Sequence, residues 1–129
     1  MRRYPRAAAG RPPALLLLDV LAVLVFAAVG RVSHDEGADA LDVLGTAWPF
    51  LLGCLVGWVL TRAWRRPSAV RPVGVPVWLC TVGLGMLGRA LTGAGTELSF
   101  VLVATLVLGL FLLGWRLVVA STWILGSLR

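Results

Sequence analysis

Four long apolar stretches dominate the sequence, at residues 13–30, 44–64, 73–91 and 98–118. A bilayer core about 30 Å thick is crossed by roughly 20 apolar residues in a helix, so each stretch is long enough, or nearly so, to span it. Membrane strands alternate apolar and polar residues, and these stretches do not. We predict an all-α membrane protein with four transmembrane helices.

The connections between these stretches are short and leave no room for a separate soluble domain. Residues 1–12 are predicted to form a basic cytoplasmic tail, and residues 13–129 a single four-helix transmembrane domain. The composition agrees, because 59% of the residues are apolar and 14% are charged. A typical soluble domain is about 45–50% apolar and about 25% charged.

Arginine is distributed unevenly between the two sides of the predicted membrane domain. One side receives Arg2, Arg3, Arg6, Arg11, Arg62, Arg65, Arg66 and Arg71. The other receives Arg31, Arg89 and five of the 6 acidic residues. Cytoplasmic loops retain arginine, which predicts a multi-pass plasma-membrane protein with both termini in the cytoplasm. The expected partners of the tail and loop are anionic lipid headgroups, and no nucleic acid is needed to explain the net charge of +6.

A cleaved signal peptide is the alternative interpretation of the first stretch. Basic residues precede an apolar run that ends in small residues, Ala28 to Gly30. Asp19 interrupts this run and favours a retained helix.

Several short elements occur twice in the same order, which indicates an internal duplication. The pairs are Gly30-Arg31 with Gly88-Arg89 at an offset of 58 residues, Thr46/Phe50 with Thr96/Phe100 at an offset of 50, and Trp64-Arg65 with Trp115-Arg116 at an offset of 51. Each half contains two crossings, so the halves are predicted to be parallel helical-hairpin repeats. Their symmetry axis would then lie along the membrane normal, as in some transporters.

Longer segments resemble a known family. They are the run from Asp19 to His34, the segment Thr46-Ala-Trp-Pro-Phe50, and the pieces Gly57-Trp58, Gly88-Arg89, Gly95-Thr96 and Gly114-Trp115-Arg116. Over residues 15–118 the sequence is similar to the small membrane proteins of domain of unknown function family 3054. The resemblance implies a compact integral membrane protein and implies no particular activity.

Asp19 is the first candidate for a special role because it lies inside an apolar stretch. A central Asp costs about 2.5–3.5 kcal/mol on insertion, so it needs a partner or water. Arg116 and Arg62 lie at a suitable depth, and Arg116 is the stronger candidate because another apolar run follows it. Two interpretations remain open: a structural ion pair between Asp19 and Arg116, or a proton or cation site inside the bundle.

The opposite side offers a second candidate site made of two arginines at helix ends and two threonines predicted to cap helix starts. These residues are Arg31, Arg89, Thr46 and Thr96. If the repeats face each other, the arginines and helix N-termini converge and can bind an anion. The alternative is that acidic neighbours, Asp42 and Glu97 among them, neutralise the arginines in structural ion pairs.

The remaining polar and sulfur-containing residues give no catalytic pattern. Adjacent loop residues such as His34, Asp35 and Glu36 rarely share one metal, so no metal site and no cofactor are expected. No nucleophile–base pair can be assembled, and we predict that the chain is not an enzyme. Cys54 and Cys80 are expected to be free thiols.

Glycine and tryptophan are expected to serve packing and membrane anchoring. Gly53 and Gly57 form a Gly-x-x-x-Gly face, and the third helix carries Gly83, Gly85 and Gly88, so both helices can pack closely against neighbours. The tryptophans predicted for the aromatic belts at the membrane surfaces are Trp48, Trp64, Trp78 and Trp115.

Two classes of function remain. The first is a structural, lipid-binding or accessory membrane subunit, which the lack of Gly/Pro-interrupted helices favours. The alternative is a small channel or carrier for an ion or small anion, which the intramembrane Asp19 and the duplication favour. A channel would require a homo-oligomer, because four helices enclose little space.

Overall fold

The computed structural model describes residues 12–33 and 37–127, and this part of the chain is helical without strands. Four helices follow one another: α1 (Pro12–Ser33), α2 (Ala40–Thr61), α3 (Val75–Leu91) and α4 (Leu98–Ser127). All four are long and apolar enough to cross a membrane when the turn Val70–Gly74 is counted with α3. The predicted basic tail and the His34-Asp35-Glu36 segment fall outside the described residues, apart from Pro12.

The helices run up and down, so the start of α1, the end of α2, the start of α3 and the second half of α4 meet at one end of the bundle. We call this the closed end, which contains Asp19 and Arg116. The opposite end is the open end, which contains Arg31 and Arg89. Helix α1 buries Asp19, Val23, Phe26 and Ala27, residues three, four and seven apart that lie on one helical face.

Helix α2 begins at Ala40, earlier than predicted, because Asp39 caps it. The Asp39 side chain accepts a hydrogen bond of 2.9 Å from the backbone N–H of Asp42, as N-cap carboxylates do. Thr46 therefore lies inside α2, and the prediction that it caps this helix is wrong. Thr96 also misses the capping position, since the first helical bond of α4 runs from Val101 N–H to the carbonyl of Glu97.

The second helix ends at Thr61, three residues before its predicted end at residue 64, and the α2–α3 connection begins at Arg62. Arg62 adopts the left-handed conformation with φ 51° and ψ 50°, and its backbone N–H bonds to the carbonyls of Trp58 and Val59. A 3-10 turn, Ala63–Arg65, follows, and a π turn, Val70–Gly74, leads into α3. The connection folds back against the bundle, since Pro67 and Ser68 are buried.

Helices α2 and α3 pack more closely than any other pair, and glycine permits this approach. A Cβ atom at Gly53 would lie 2.4 Å from the carbonyl oxygen of Cys80, and one at Gly57 would lie 2.8 Å from Cα of Val77. Both distances are too short for any larger residue without backbone movement. The predicted close packing of the Gly-x-x-x-Gly face is confirmed, whereas Gly83 faces open space.

Helix α4 continues to Ser127, well past the predicted end at residue 118. The extension from Leu117 to Ser127 covers roughly 16 Å at 1.5 Å rise per residue. Its apolar side chains face outward, including Leu117, Val118 and Leu125. The apolar run after Arg116 therefore prolongs the spanning helix beyond the closed end.

Candidate functional site

Asp19 lies about 10 Å along α1 and is fully buried. Its carboxylate accepts four hydrogen bonds. Oδ1 accepts from Trp115 Nε1 at 2.8 Å and Arg116 Nη1 at 3.0 Å, and Oδ2 accepts from Trp58 Nε1 at 2.7 Å and Arg116 Nη2 at 2.5 Å. A carboxylate offers about four acceptor positions, so this buried anion is fully satisfied.

Arg116 on α4 is equally buried and is held from several directions. Its two Nη atoms face the two Asp19 oxygens in the bidentate geometry typical of strong arginine–carboxylate pairs. Its Nε donates to the carbonyl of Pro67 at 2.9 Å, and Nη1 also donates to the carbonyl of Leu112 at 2.8 Å. The guanidinium lies 4.3 Å from the Trp115 ring centroid, a cation–π contact.

The ion pair connects the whole closed end. Asp19 belongs to α1, Trp58 to α2, Arg116 to α4 and Pro67 to the α2–α3 connection. The turn before α3 also touches it, since a Cβ at Gly74 would lie 2.8 Å from Cδ of Arg116. A buried ion pair is stable only when hydrogen bonds within the protein replace those that its groups made to water. Asp19 and Arg116 both have such hydrogen bonds.

The structure thus brings together Asp19 and Arg116, the residues that depth counting singled out, while Arg62 lies exposed on the surface. Sequence reasoning missed the two indoles. Trp115, predicted for an aromatic belt, directs its indole N–H to the Asp19 carboxylate. The sequence contains a signal for these two donors. The indole N–H can only donate a hydrogen bond, and a buried carboxylate needs donors. Trp115 adjoins Arg116 in the sequence, and Trp58 lies at about the same depth in its helix as Asp19.

Trp78, also predicted for a belt, is half-buried, and its indole N–H donates to the carbonyl of Thr105 at 2.9 Å. Trp48 and Trp64 are exposed on the surface, as belt residues would be. Cys54 and Cys80 are free thiols, as predicted.

The open end contains a cavity of about 740 Å³, lined by residues from all four helices. The polar side chains around it include Arg31, Asp42, Thr46, Arg89 and Glu97. Three of the four residues predicted for an outer-face site therefore surround one space, while Thr96 is not among the lining residues. Two arginines and two acids give the lining both signs of charge.

Arg31 reaches across this cavity from the end of α1. Its Nη1 donates to the Thr46 hydroxyl at 2.9 Å, its Nη2 lies 4.0 Å from Oδ1 of Asp42, and its Nε donates to the carbonyl of Gly37. The side chains of Arg31 and Asp42 are 20% and 40% exposed, so water reaches both members of this pair.

Arg89 occupies the corresponding place at the end of α3. Its Nε donates to the carbonyl of Gly95 at 2.9 Å, and Nη2 donates to the carbonyl of Ala94 at 2.8 Å. The guanidinium lies 4.0 Å from the centroid of the Phe100 ring. Glu97, predicted to neutralise Arg89, lines the same cavity.

Aromatic rings separate the cavity from the closed end. Phe26 packs edge-on against Phe50 at 5.4 Å and against Phe100 at 6.4 Å between ring centroids, which is the preferred geometry for aromatic pairs. Gly85 makes room for this cluster, since a Cβ there would lie 2.2 Å from the Phe50 ring. Phe26 and Phe100 also line the cavity, so its floor is apolar and its rim is charged.

The described residues contain no group of three or more His, Cys, Asp or Glu side chains that could hold a metal ion. Four apolar helices of spanning length around a satisfied buried ion pair are typical of multi-pass helical membrane proteins.

The sequence matches the family described as "Protein of unknown function (DUF3054)" over residues 16–119, and the chain belongs to that family. The resemblance noted in the sequence motifs is thereby confirmed. No curated protein and no solved structure matches the chain.

Proposed function

We propose that the chain is a plasma-membrane protein with both termini in the cytoplasm, and that its open-end cavity binds a small organic carboxylate as part of a carrier cycle. The observation that carries this proposal is the 740 Å³ cavity itself, with Arg31 and Arg89 on its rim and Phe26 and Phe100 in its floor. Arginine is the side chain best suited to a carboxylate, and the rings suit an apolar substituent. We assign no reaction to this site.

The charges of the lining restrict the ligand further. Asp42 and Glu97 share the cavity with the two arginines, so its formal charge is balanced. A simple anion would meet the two acids as well as the two arginines. A zwitterion with a carboxylate and an ammonium group matches both signs, and is therefore favoured over chloride or phosphate.

The proposed topology rests on the opposite charges of the two ends. Arg62, Arg65, Arg66 and Arg71 lie in the connection at the closed end, whereas Asp39, Asp42 and Glu97 lie at the open end. The excess of arginine favours the closed end as cytoplasmic, and the cavity then opens outward. Tags at the termini and a probe in residues 65–72 should report the cytoplasm, and a probe at Asp39 the exterior; external access to residues 65–72 would contradict this topology.

A duplicated architecture is part of the same proposal. One constant offset of 58 residues, the separation of Arg31 and Arg89, maps α1 at 12–33 onto 70–91 and the start of α2 at 40 onto the start of α4 at 98. Both arginines also donate from Nε to the carbonyl of a glycine six residues later, Gly37 or Gly95. This offset is simpler than the three offsets read from short motifs, and it supports a ligand site on the symmetry axis.

Thermal unfolding of the purified protein in nanodiscs tests the binding site. The ligand panel contains chloride, phosphate, small carboxylates and zwitterionic amino acids. We expect amino acids to raise the unfolding temperature, and Arg31→Gln or Arg89→Gln to remove this effect. Arg71→Gln is the matched control, because it removes an arginine at the opposite end.

Uptake of the stabilising ligand into liposomes then separates a carrier from a binding protein. A protein that no compound stabilises, and that moves none of them, would contradict the proposal.

A structural or accessory subunit is the second candidate, favoured by the complete ion pair of Asp19 and Arg116 and by the aromatic cluster next to it. The aromatic cluster and the ion pair fill the bundle on the closed-end side of the cavity, where a continuous channel would need a path.

A further inference from the structure

The α2–α3 connection carries three exposed arginines on a backbone segment that packs against the helical bundle. Ala63, Pro67 and Ser68 are buried, and buried Arg116 donates to the carbonyl of Pro67. Arg65 and Arg66, between these anchors, and Arg62, just before them, are exposed. Their backbone is fixed by the left-handed cap at Arg62 and the 3-10 turn after it.

These three arginines surround one small concavity. Its lining consists of Thr61, Arg62, Arg65, Arg66, Pro72 and Val73, and its volume is about 150 Å³. By the same measure one water molecule needs roughly 10–15 Å³, so the concavity is large enough for one tetrahedral oxyanion such as a phosphate group. Guanidinium groups bind phosphate oxygens through paired N–H donors.

The described residues supply no ion-pair partner for these arginines. Asp19 is fully engaged by Arg116 and the indoles, and the other acids among the described residues, Asp39, Asp42 and Glu97, lie at the open end. Among the described residues, Arg62, Arg65 and Arg66 make no ion pair and no side-chain hydrogen bond. Exposed and unpaired within the described part of the chain, these arginines are accessible to an external anion.

The position of the concavity identifies the source of that partner. It lies where α2 ends and the spanning segment of α3 begins, at the depth of the lipid headgroups for helices of this length. Trp64, 50% exposed, stands between the arginines, and exposed tryptophan favours the same level. We propose that Arg62, Arg65 and Arg66 form a binding site for the phosphate of one anionic phospholipid.

Native mass spectrometry of the protein in neutral detergent tests this site by comparing phosphatidylglycerol with phosphatidylcholine. We expect one phosphatidylglycerol to be retained in preference to phosphatidylcholine. Arg65→Gln and Arg66→Gln should each weaken this binding about fivefold, the effect of one arginine near an anionic surface. Arg71→Gln is the matched control, since Arg71 is exposed in the same connection but does not line the concavity, and it should change binding less than twofold.

Three outcomes would overturn the site. If Arg71→Gln weakened phosphatidylglycerol binding as much as Arg65→Gln, the lipid would be attracted by the general positive charge of this surface and not by a specific site. Equal retention of the two lipids would remove the preference for anionic headgroups. Displacement of the lipid by millimolar inorganic phosphate would assign the concavity to a free anion. Unfolding temperatures in pure detergent should be the same for all variants, because the substituted side chains are exposed.

Discussion

Two arginine–aspartate pairs lie at opposite ends of the same bundle and differ in almost every physical respect. Arg116 and Asp19 meet at 2.5 Å with both side chains 0% exposed. Arg31 and Asp42 stand 4.0 Å apart with side chains 20% and 40% exposed. The first pair needs its hydrogen-bond partners because solvent does not reach it, whereas water reaches both side chains of the second pair.

The packing around the pairs explains this difference. At the closed end, two indoles, two carbonyls and a bidentate contact replace the water that Asp19 and Arg116 have lost. At the open end, the helices surround a cavity. The same chemical groups therefore make a fully buried contact in one place and a partly water-exposed contact at the rim of a cavity in the other.

The largest expected effect is the removal of one charge at the closed end. Asp19→Asn leaves Arg116 buried without a counter-charge and should cost about 3–5 kcal/mol of folding stability. Adding Arg116→Gln should recover much of this loss, because an absent pair costs less than an unpaired charge. A double-mutant cycle on unfolding in detergent measures the coupling, with Asp42→Asn as the open-end control. Coupling near zero would mean that Asp19 is solvated.

The glycine interface between α2 and α3 gives the next effect and separates backbone packing from charge. Gly53→Ala would bring Cβ to 2.4 Å from the carbonyl oxygen of Cys80, and the necessary shift should cost about 1–3 kcal/mol. Gly83→Ala is the control, since no atom lies within 4 Å of its Cβ position. Equal unfolding temperatures for the two variants would contradict close packing at this interface.

The indole donors test whether the closed end depends on more than the ion pair. Trp58→Phe removes the 2.7 Å hydrogen bond to Oδ2 of Asp19, and should cost about 1–2 kcal/mol, the range for such bonds inside membranes and to charged groups. Trp48→Phe, at an exposed site, should cost less. If Trp48→Phe lowered the stability as much as Trp58→Phe, the cause would be the smaller ring and not the lost hydrogen bond.

The smallest effect is expected at the open end. Arg31→Gln should cost about 1 kcal/mol without ligand, because its ion pair with Asp42 is long and both side chains are partly exposed. Raising the salt concentration should reduce even this difference, since salt screens exposed charges, but should leave the Asp19→Asn effect nearly unchanged. Unfolding at low and high salt makes the comparison. If Arg31→Gln caused a large loss of stability that did not depend on salt, the Arg31–Asp42 pair would be equivalent to the buried Asp19–Arg116 pair.

Much of the fold could be predicted because its signals are local. Each spanning helix follows from an apolar run of sufficient length, and each Gly-x-x-x-Gly contact follows from the absence of a side chain. Helix ends were less predictable: Asp39 caps α2 where Thr46 was expected, and Arg62 ends it by adopting a left-handed conformation. These ends depend on which of several competing polar groups reaches the free backbone.

The sequence by itself determined that the chain forms four apolar helices, and that an acid such as Asp19 within one of them requires a partner. Both follow from hydrophobicity and the cost of an unpaired charge. Only the tertiary structure decided that Trp58 and Trp115 share Asp19 with Arg116, and that Arg31 and Arg89 surround one cavity with Phe26 and Phe100. The rotation of each helix about its axis selects these contacts, and that rotation results from the packing of all four helices together.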